Sequence, residues 1–312
     1  MTAPALSPKH ACQVFADETV RFLHEQASGP FLAYLPLDGP HDPHIVPEDF
    51  PVRYDPATLP LPSNFLPLHP FNNGEMDIRD ERLLPWPHTP ETVRAQLADY
   101  YRYISYLDML IGQVLDALEA SPFAKDTIVV FTSDSGVARG SHGLNGKQNL
   151  YEHSIRVPLI ISGPGIPEDR KTDAMAYLFD LMPTLGALAS VPRPRGSEGR
   201  DLSAVLRDPG RPGRDRLVFA YQAVQRAIRD DRWKLIRYPE VNVTQLFDLE
   251  ADPLELHDLA ADPDHAKGRQ DMMARLAADL KRAGDKAPLV VSNPEPSAIS
   301  AADLNAKVTP PK

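Results

Sequence analysis

The sequence predicts an α/β fold, a sheet of short strands with a polar active edge, followed by a small antiparallel subdomain. Three observations carry this expectation. Two apolar, β-branched runs, Thr127 to Thr132 and Val157 to Ile161, read as short buried strands of a parallel sheet. Between them lies a segment holding Asp134, His142, Lys147, Glu152, His153 and Arg156, too charged to be core. After residue 216 come four strand-like runs separated by turns, the pattern of an antiparallel sheet.

In chain order, Pro8 to Gln26 reads as a helix, because Phe15, Phe22 and Leu23 recur near helical spacing and Gly29-Pro30 ends the pattern. Cys12 falls in its first turns and reads as a small apolar filler, since nothing around it would generate a thiolate. Phe31 to Leu35 is expected to be a short buried strand, which leaves His41 in the loop that follows. His41 and His44 flank Pro43, which denies them the helical geometry that pairs metal ligands on one face.

Pro51 to Pro90 is rich in proline, asparagine and acidic residues and has no periodicity. A loop of this length suggests a substrate-choosing rim, with Asn72, Asn73, Glu75, Asp77, Arg79, Arg82, Trp86 and His88 as its polar equipment. Thr89-Pro90-Glu91 then starts a long helix, with Thr89 as N-cap and Pro90 at the first helical position. Tyr103, Leu107, Leu110, Val114 and Leu118 form its core-facing stripe, and Ser121-Pro122 closes it.

The central stretch, Thr127 to Ser162, carries the chemistry. Ligands of open α/β sheets collect beyond the carboxyl ends of the strands, and Asp134 lies two residues past such an end. A carboxylate there suits a divalent metal, with Gly136 and Gly140 giving the backbone freedom and a lysine nearby for an anionic substrate. A solvated loop between two strands is the plainer reading of the same composition.

Farther on, Asp173 to Ser190 reads as an apolar helix interrupted at Pro183, and Pro192 to Arg216 as a basic, solvated connection. The four strand-like runs are Leu217 to Tyr221, Ala227 to Asp230, Trp233 to Tyr238 and Thr244 to Asp248. A final helix is expected over Asp264 to Arg282, and the residues after Gly284, rich in proline, serine and alanine, are expected to be disordered.

Bulk properties bound the partners. In 312 residues, 33 lysines and arginines stand against 43 aspartates and glutamates, a formal net charge of -10 that argues against nucleic acid and anionic membranes. One cysteine excludes an intrachain disulfide framework. No apolar run is long enough to span a membrane and the N-terminus lacks an apolar signal core, so the expected location of the chain as given is cytoplasmic, whereas an intact parent could be periplasmic or secreted.

The ordered strings TSDSG, SHGLNGK and LYEHSIRVPLIISGPG resemble the sulfatase family, as does QLFDLEADPLELHDLA near the end. The resemblance spans about residues 11 to 285, most specifically 127 to 162 and 244 to 260. It implies an alkaline-phosphatase-like sheet with flanking helices, incomplete at the N-terminus, plus the small C-terminal antiparallel subdomain. The corresponding boundaries are 1–192 for the catalytic portion, 193–216 for a linker, 217–284 for the subdomain and 285–312 for a disordered tail.

By that resemblance Asp134 is a metal ligand and Lys147 contacts the sulfate group and helps its departure. Pro40-His41-Asp42-Pro43 matches the segment whose histidine contacts sulfate, so the role passes to His41. His142 suits a hydrogen bond to substrate oxygen or leaving group. The position after the metal-binding aspartate is usually asparagine or histidine and is Ser135 here, a weaker ligand. The implied cofactor is Ca2+ or Mg2+, weakly held or absent in this chain.

No Cys/Ser-x-Pro-x-Arg segment, from which the family makes its formylglycine nucleophile, occurs in the sequence. Ser190-Val191-Pro192 comes close, but Pro194 occupies the arginine's place and Arg195 is one residue late, and Ser162-Gly163-Pro164 fails too, with Ile166 there. The expectation is therefore an arylsulfatase-type hydrolase of small-molecule or sugar sulfate esters, truncated and inactive as given. Two alternatives stand: a non-catalytic binding protein or partner of a separate N-terminal chain, and a phosphate or phosphonate ester hydrolase on the same fold.

Overall fold

The computed structural model describes residues 9–26 and 28–307. The expected helix start at Pro8 and the last five residues of the expected tail lie outside them. The chain divides into two compact units, one made of residues 1–61 and 89–129, the other of 62–88 and 130–312.

In the first unit, helix α1 (Ala11–Glu25) packs on the long helix α2 (Pro90–Glu119). Helix α2 starts where the sequence predicts it: Thr89 and Thr92 form a capping box, each side chain serving the other's backbone N–H. Tyr103, Leu107 and Leu110 of its apolar stripe pack with Cys12, Ala16, Val46 and Phe50 into one buried cluster. The Cys12 thiol lies 2.8 Å from Asp38 Oδ1, and burial, with that carboxylate, pushes its pKa up, so the residue is inert filler as expected.

The segment from Phe31 to Leu35 forms no strand, contrary to expectation. Its backbone finds no partner strand among the described residues, and Leu32 and Tyr34 are 86% and 85% exposed. Without a ladder, an apolar run has no reason to become a strand, however suitable its side chains.

Strand β1 (Val129–Thr132) pairs with β2 (Leu159–Ser162) in a two-stranded sheet. The pair exists where the sequence places it, but its predicted burial does not: Phe131 is 43% exposed and Ile160 60%. Between the strands a short helix, α3 (Glu152–Ile155), forms the last part of the polar segment.

The expected antiparallel subdomain is present as β3 (Leu217–Tyr221), β4 (Gln225–Arg229), β5 (Trp233–Tyr238) and β6 (Val243–Asp248), each paired with the next in sequence. Side chains alternate across a strand, so one face presents Ile228, Leu235 and Leu246, which meet Met272, Leu276 and Leu280 of helix α6 (Ala266–Arg282). The other face presents Ala227, Ile236, Tyr238 and Phe247 to a second cluster with Phe71, Trp86, Leu144 and Tyr151. Burial of each large side chain contributes on the order of 1.5–3 kcal/mol, and both faces of this sheet collect it.

Three further expectations change. Pro183 does not interrupt a helix: α4 (Leu181–Leu188) begins two residues before it, so the ring sits in the first turn, where its missing N–H costs nothing. The 193–216 connection, largely exposed as expected, is also pinned at points and holds helix α5 (Ser203–Arg207). Its Arg214 donates two hydrogen bonds to the fully buried Asp180, one of them at 2.9 Å, and Arg216 grips Asp279 of α6 at 2.6 Å. The segment after Gly284 is ordered as far as it is described: it ends in helix α7 (Ala301–Lys307), whose Leu304 is buried in the Tyr151 cluster. Asn305 there accepts a hydrogen bond from the Trp86 N–H at 3.3 Å and returns one to its carbonyl at 2.5 Å. No helix among the described residues is long and apolar enough to cross a membrane.

Candidate functional site

The polar segment leaves β1 at Ser133 and is folded back on itself by backbone hydrogen bonds: Gly136 N–H donates to Ser154 O at 2.9 Å and Ala138 N–H to Gly146 O at 2.9 Å. Two glycines make this return possible. A Cβ at Gly136 would stand 1.9 Å from His153 O, and one at Gly143, where φ is +70°, 2.2 Å from the Leu68 carbonyl carbon. His142 itself adopts a positive φ of 55°, a strained conformation of the kind found where a site fixes its backbone.

Asp134 and Ser135 occupy the open part of the segment. The Asp134 side chain is exposed and accepts a hydrogen bond from the Ser135 hydroxyl at 3.2 Å. Their oxygens suit a hard cation in kind but not in number, because such an ion takes six or more oxygens. Among the described residues no three histidine, cysteine or acidic side chains gather to hold a metal. Asp134 and Ser135 by themselves therefore make part of a coordination shell.

Lys147 sits half-buried on a turn that is held from below. Asn145 N–H and Gly146 N–H donate to the two carboxylate oxygens of Glu81, at 2.7 and 2.8 Å. Lys147 N–H donates to Gln148 Oε1 at 3.0 Å, while Gln148 Nε2 donates to Asp80 Oδ2 at 2.8 Å. Burial pushes the Glu81 carboxyl up to about 7, against the pull of its two backbone donors. Burial also raises Asp80, but hydrogen bonds from Gln148 and Arg79 outweigh it and hold that carboxyl below its usual value.

His142 is buried, not open to a ligand. Its ring stacks on Tyr151 with centroids 3.9 Å apart, and Nε2 accepts from Asn64 Nδ2 at 3.1 Å. Burial, then the nearby His69 and Lys234, push its pKa down to about 4, so it is neutral at neutral pH. Tyr151 donates to Gln245 Oε1 at 2.8 Å, which ties the segment to β6.

Glu152, only partly exposed, turns toward the four-stranded sheet. It pairs with Arg229 at 2.6 Å and with Lys234 at 3.1 Å, and Lys234 pairs in turn with Glu255 at 2.7 Å. Two cations and two carboxylates thus close a balanced, buried set that fastens α3 to β4 and β5.

His41 belongs to the first unit, whereas Asp134, Ser135, His142 and Lys147 belong to the second. It is exposed, and its Nδ1 lies 2.9 Å from Asp42 O. Next to it His44, nearly buried, approaches Asp42 Oδ1 at 3.2 Å. Of the rim residues, Asn73, Glu75, Trp86 and His88 are buried, so they build the wall rather than line an opening.

Sequence reasoning missed Asp80 and Glu81, which lie in a stretch without periodicity. It also missed Arg229 and Lys234, whose charges fall inside strands. A lysine at an inward position of a strand, opposite Phe247 in the register, was the one available signal.

Comparison with known proteins fits this geometry. The sulfatase family model matches residues 5–191, and that of the C-terminal part of N-sulphoglucosamine sulphohydrolase matches 140–282. The chain is 33% identical to the choline-sulfatase of Rhizobium meliloti (strain 1021) over 253 residues, which cover 77% of this chain and 48% of that protein. It is 30% identical to arylsulfatase K of Gallus gallus over 277 residues, covering 78% of this chain and 51% of that one. The chain thus spans about half the length of these curated relatives.

Among solved structures, BT4656 in complex with its substrate D-glucosamine-2-N,6-O-disulfate aligns with a TM-score of 0.73 at 21% identity, over 90% of this chain and 71% of that one. The phosphonate monoester hydrolase of Agrobacterium radiobacter aligns with a TM-score of 0.73 at 27% identity, over 91% and 63%. The fold is that of these structures, alkaline-phosphatase-like with a small antiparallel sheet toward the C-terminus. With the motif segment folded around Lys147 and the matching family model covering most of the chain, this protein belongs to the sulfatase family.

Proposed function

We propose that this chain supplies the oxyanion-holding side of a site for sulfuric esters, with sugar and aryl sulfates as the substrate class. The observation that carries the reading is Lys147. Its backbone is fixed on three successive amides, and its ammonium group, half-buried, enters no ion pair among the described residues and meets only the longer-range pull of Asp80, so its charge is open to an anion. An ammonium so placed stabilises negative charge on a sulfate oxygen or a departing alkoxide.

His41, exposed in the first unit, is assigned a hydrogen bond to a sulfate group, the role its Pro-His-Asp-Pro segment implies, and its exposure supports that role. His142 is assigned to the wall. Its burial, its stacking on Tyr151 and its neutrality support positioning of the turn over proton donation to a leaving group. Asp134 and Ser135 are assigned to a Ca2+ or Mg2+ ion, whose bound charge would polarise the ester oxygens. Because they complete no shell, no step is routed through it. The sequence holds no formylglycine-forming segment, so attack on sulfur is assigned to no residue of this chain.

A second reading rests on the likeness to a phosphonate monoester hydrolase at 27% identity: a phosphonate or phosphate ester presents similar oxygens to the same lysine. Calorimetric titration of the full chain with sulfate, and separately with phosphate, tests both. Sulfate binding that weakens about tenfold or more in Lys147→Ala supports the first reading. Binding of phosphate alone supports the second. Equal binding by the wild type and Lys147→Ala, or aryl sulfate turnover that survives both Lys147→Ala and His41→Ala, would sink the site assignment.

A further inference from the structure

The chain spends a buried carboxylate on two backbone amides, and those amides belong to the residues immediately before Lys147. Glu81 is 3% exposed, and its two oxygens take the N–H groups of Asn145 and Gly146 at 2.7 and 2.8 Å. Burial of a carboxylate is costly, and acceptance of hydrogen bonds from fixed donors is what offsets it. Glycine at 146 gives the fork room, since a Cβ there would meet Gln148 Oε1 at 2.7 Å and Glu81 Oε1 at 2.9 Å and push these two acceptors aside.

The neighbouring Asp80 extends the grip. Its carbonyl accepts from Asn145 Nδ2 at 2.8 Å, and its carboxylate holds Gln148, whose amide oxygen takes the N–H of Lys147 itself. Two consecutive amides thus end on Glu81, and the third reaches Asp80 through the Gln148 side chain. On the far side the Gly146 carbonyl accepts the Ala138 N–H at 2.9 Å, so the turn is gripped from both sides.

We propose that Glu81 is the positioning residue of Lys147, fixing where its ammonium stands without touching a ligand itself. This rests on Lys147 as the anion-binding group. A buried acceptor that orders two amides anchors the backbone from which the lysine reaches out, which lowers the cost of placing its charge against a bound oxyanion.

The test uses the full chain, wild type and Glu81→Ala, with Glu81→Gln as a milder variant that keeps one acceptor oxygen should the first fail to fold. Hydrogen exchange should quicken about 10- to 100-fold at Asn145 and Gly146 in Glu81→Ala and stay unchanged at β5, with Glu81→Gln between. The rate at which acetic anhydride labels Lys147 should shift alongside. Sulfate affinity should fall about tenfold in Glu81→Ala, yet not fall further when the change is made in a Lys147→Ala background. An equal loss in both backgrounds, or unchanged exchange and labelling, overturns the proposal. If the wild type binds no sulfate, the reading of Lys147 as anion site fails by itself, and labelling that stays unchanged in Glu81→Ala still overturns the role given to Glu81.

Discussion

The two sheets of this protein end in opposite states, and the one with the more apolar strands is the exposed one. In the four-stranded sheet Leu235 and Ile236, adjacent on β5, face opposite sides, and both are fully buried, one under α6 and the other under the Tyr151 cluster. In the two-stranded sheet Leu159 and Ile160, adjacent on β2, are both exposed. Strand character is thus a local property, readable from residue type, whereas burial belongs to whatever covers the strand. The covered sheet is also where the polar segment is anchored, through Tyr151, Glu152 and Leu144.

The largest test of that contrast removes Lys234, which is fully buried between Glu152 and Glu255. Lys234→Ala leaves two buried carboxylates with one cation and should destabilise the chain by about 3–5 kcal/mol in urea denaturation, with α3 loosening first in hydrogen exchange. Should the loss be under about 1 kcal/mol, the ion set is not what fastens α3 to the sheet.

A second test uses pH. The Glu81 carboxyl is pushed up to about 7 by burial, so between its ordinary value near 4.5 and about 7 the folded chain keeps a proton that the unfolded chain has released. Stability therefore falls as pH rises through that window and levels off above it, by at most about 3 kcal/mol from this group. Thermal melts from pH 4.5 to 8 should show this slope in the wild type and a flatter profile in Glu81→Gln. Parallel profiles would mean that Glu81 is ionised throughout.

The finest comparison makes one substitution in both sheets. Ile236→Val removes a methylene from a packed site and should cost about 1 kcal/mol. Ile160→Val removes the same group from a surface and should stay within about 0.5 kcal/mol. Equal costs would show that β2 is covered in solution, by a second copy of the chain or by another protein, and the concentration dependence of the melt would tell these apart.

Much of the frame was legible in the sequence because its signals are local. Thr89-Pro90 announces a helix by capping chemistry alone, and the runs after residue 216 announce strands by side-chain type and turns. The segment around Lys147 was legible through the order of its residues. What escaped depends on distant partners. Glu81 looks like any loop acid until Asn145 and Gly146 are laid against it, 64 and 65 residues later in the chain. His142 reads as a reactive group until Tyr151 covers its face. The segment after Gly284 has the composition of a disordered tail, and it is ordered by contacts spread along it: Leu289 O and Val291 on Arg237 and Asn242, Ser297 O on Asn72, and Leu304 in the core with Asn305 beside it.

That last contact also sets a timetable. Trp86 and Asn305 stand 219 residues apart, so during synthesis the wall of the site is translated early and its clasp arrives late. Until then Trp86 can be packed only in part, and the growing chain carries an unfinished apolar wall in the same stretch that bears Glu81. A ribosome that pauses before Leu304 would hold the protein in that half-closed state. The yield of folded protein should therefore depend on how quickly the codons after residue 284 are read.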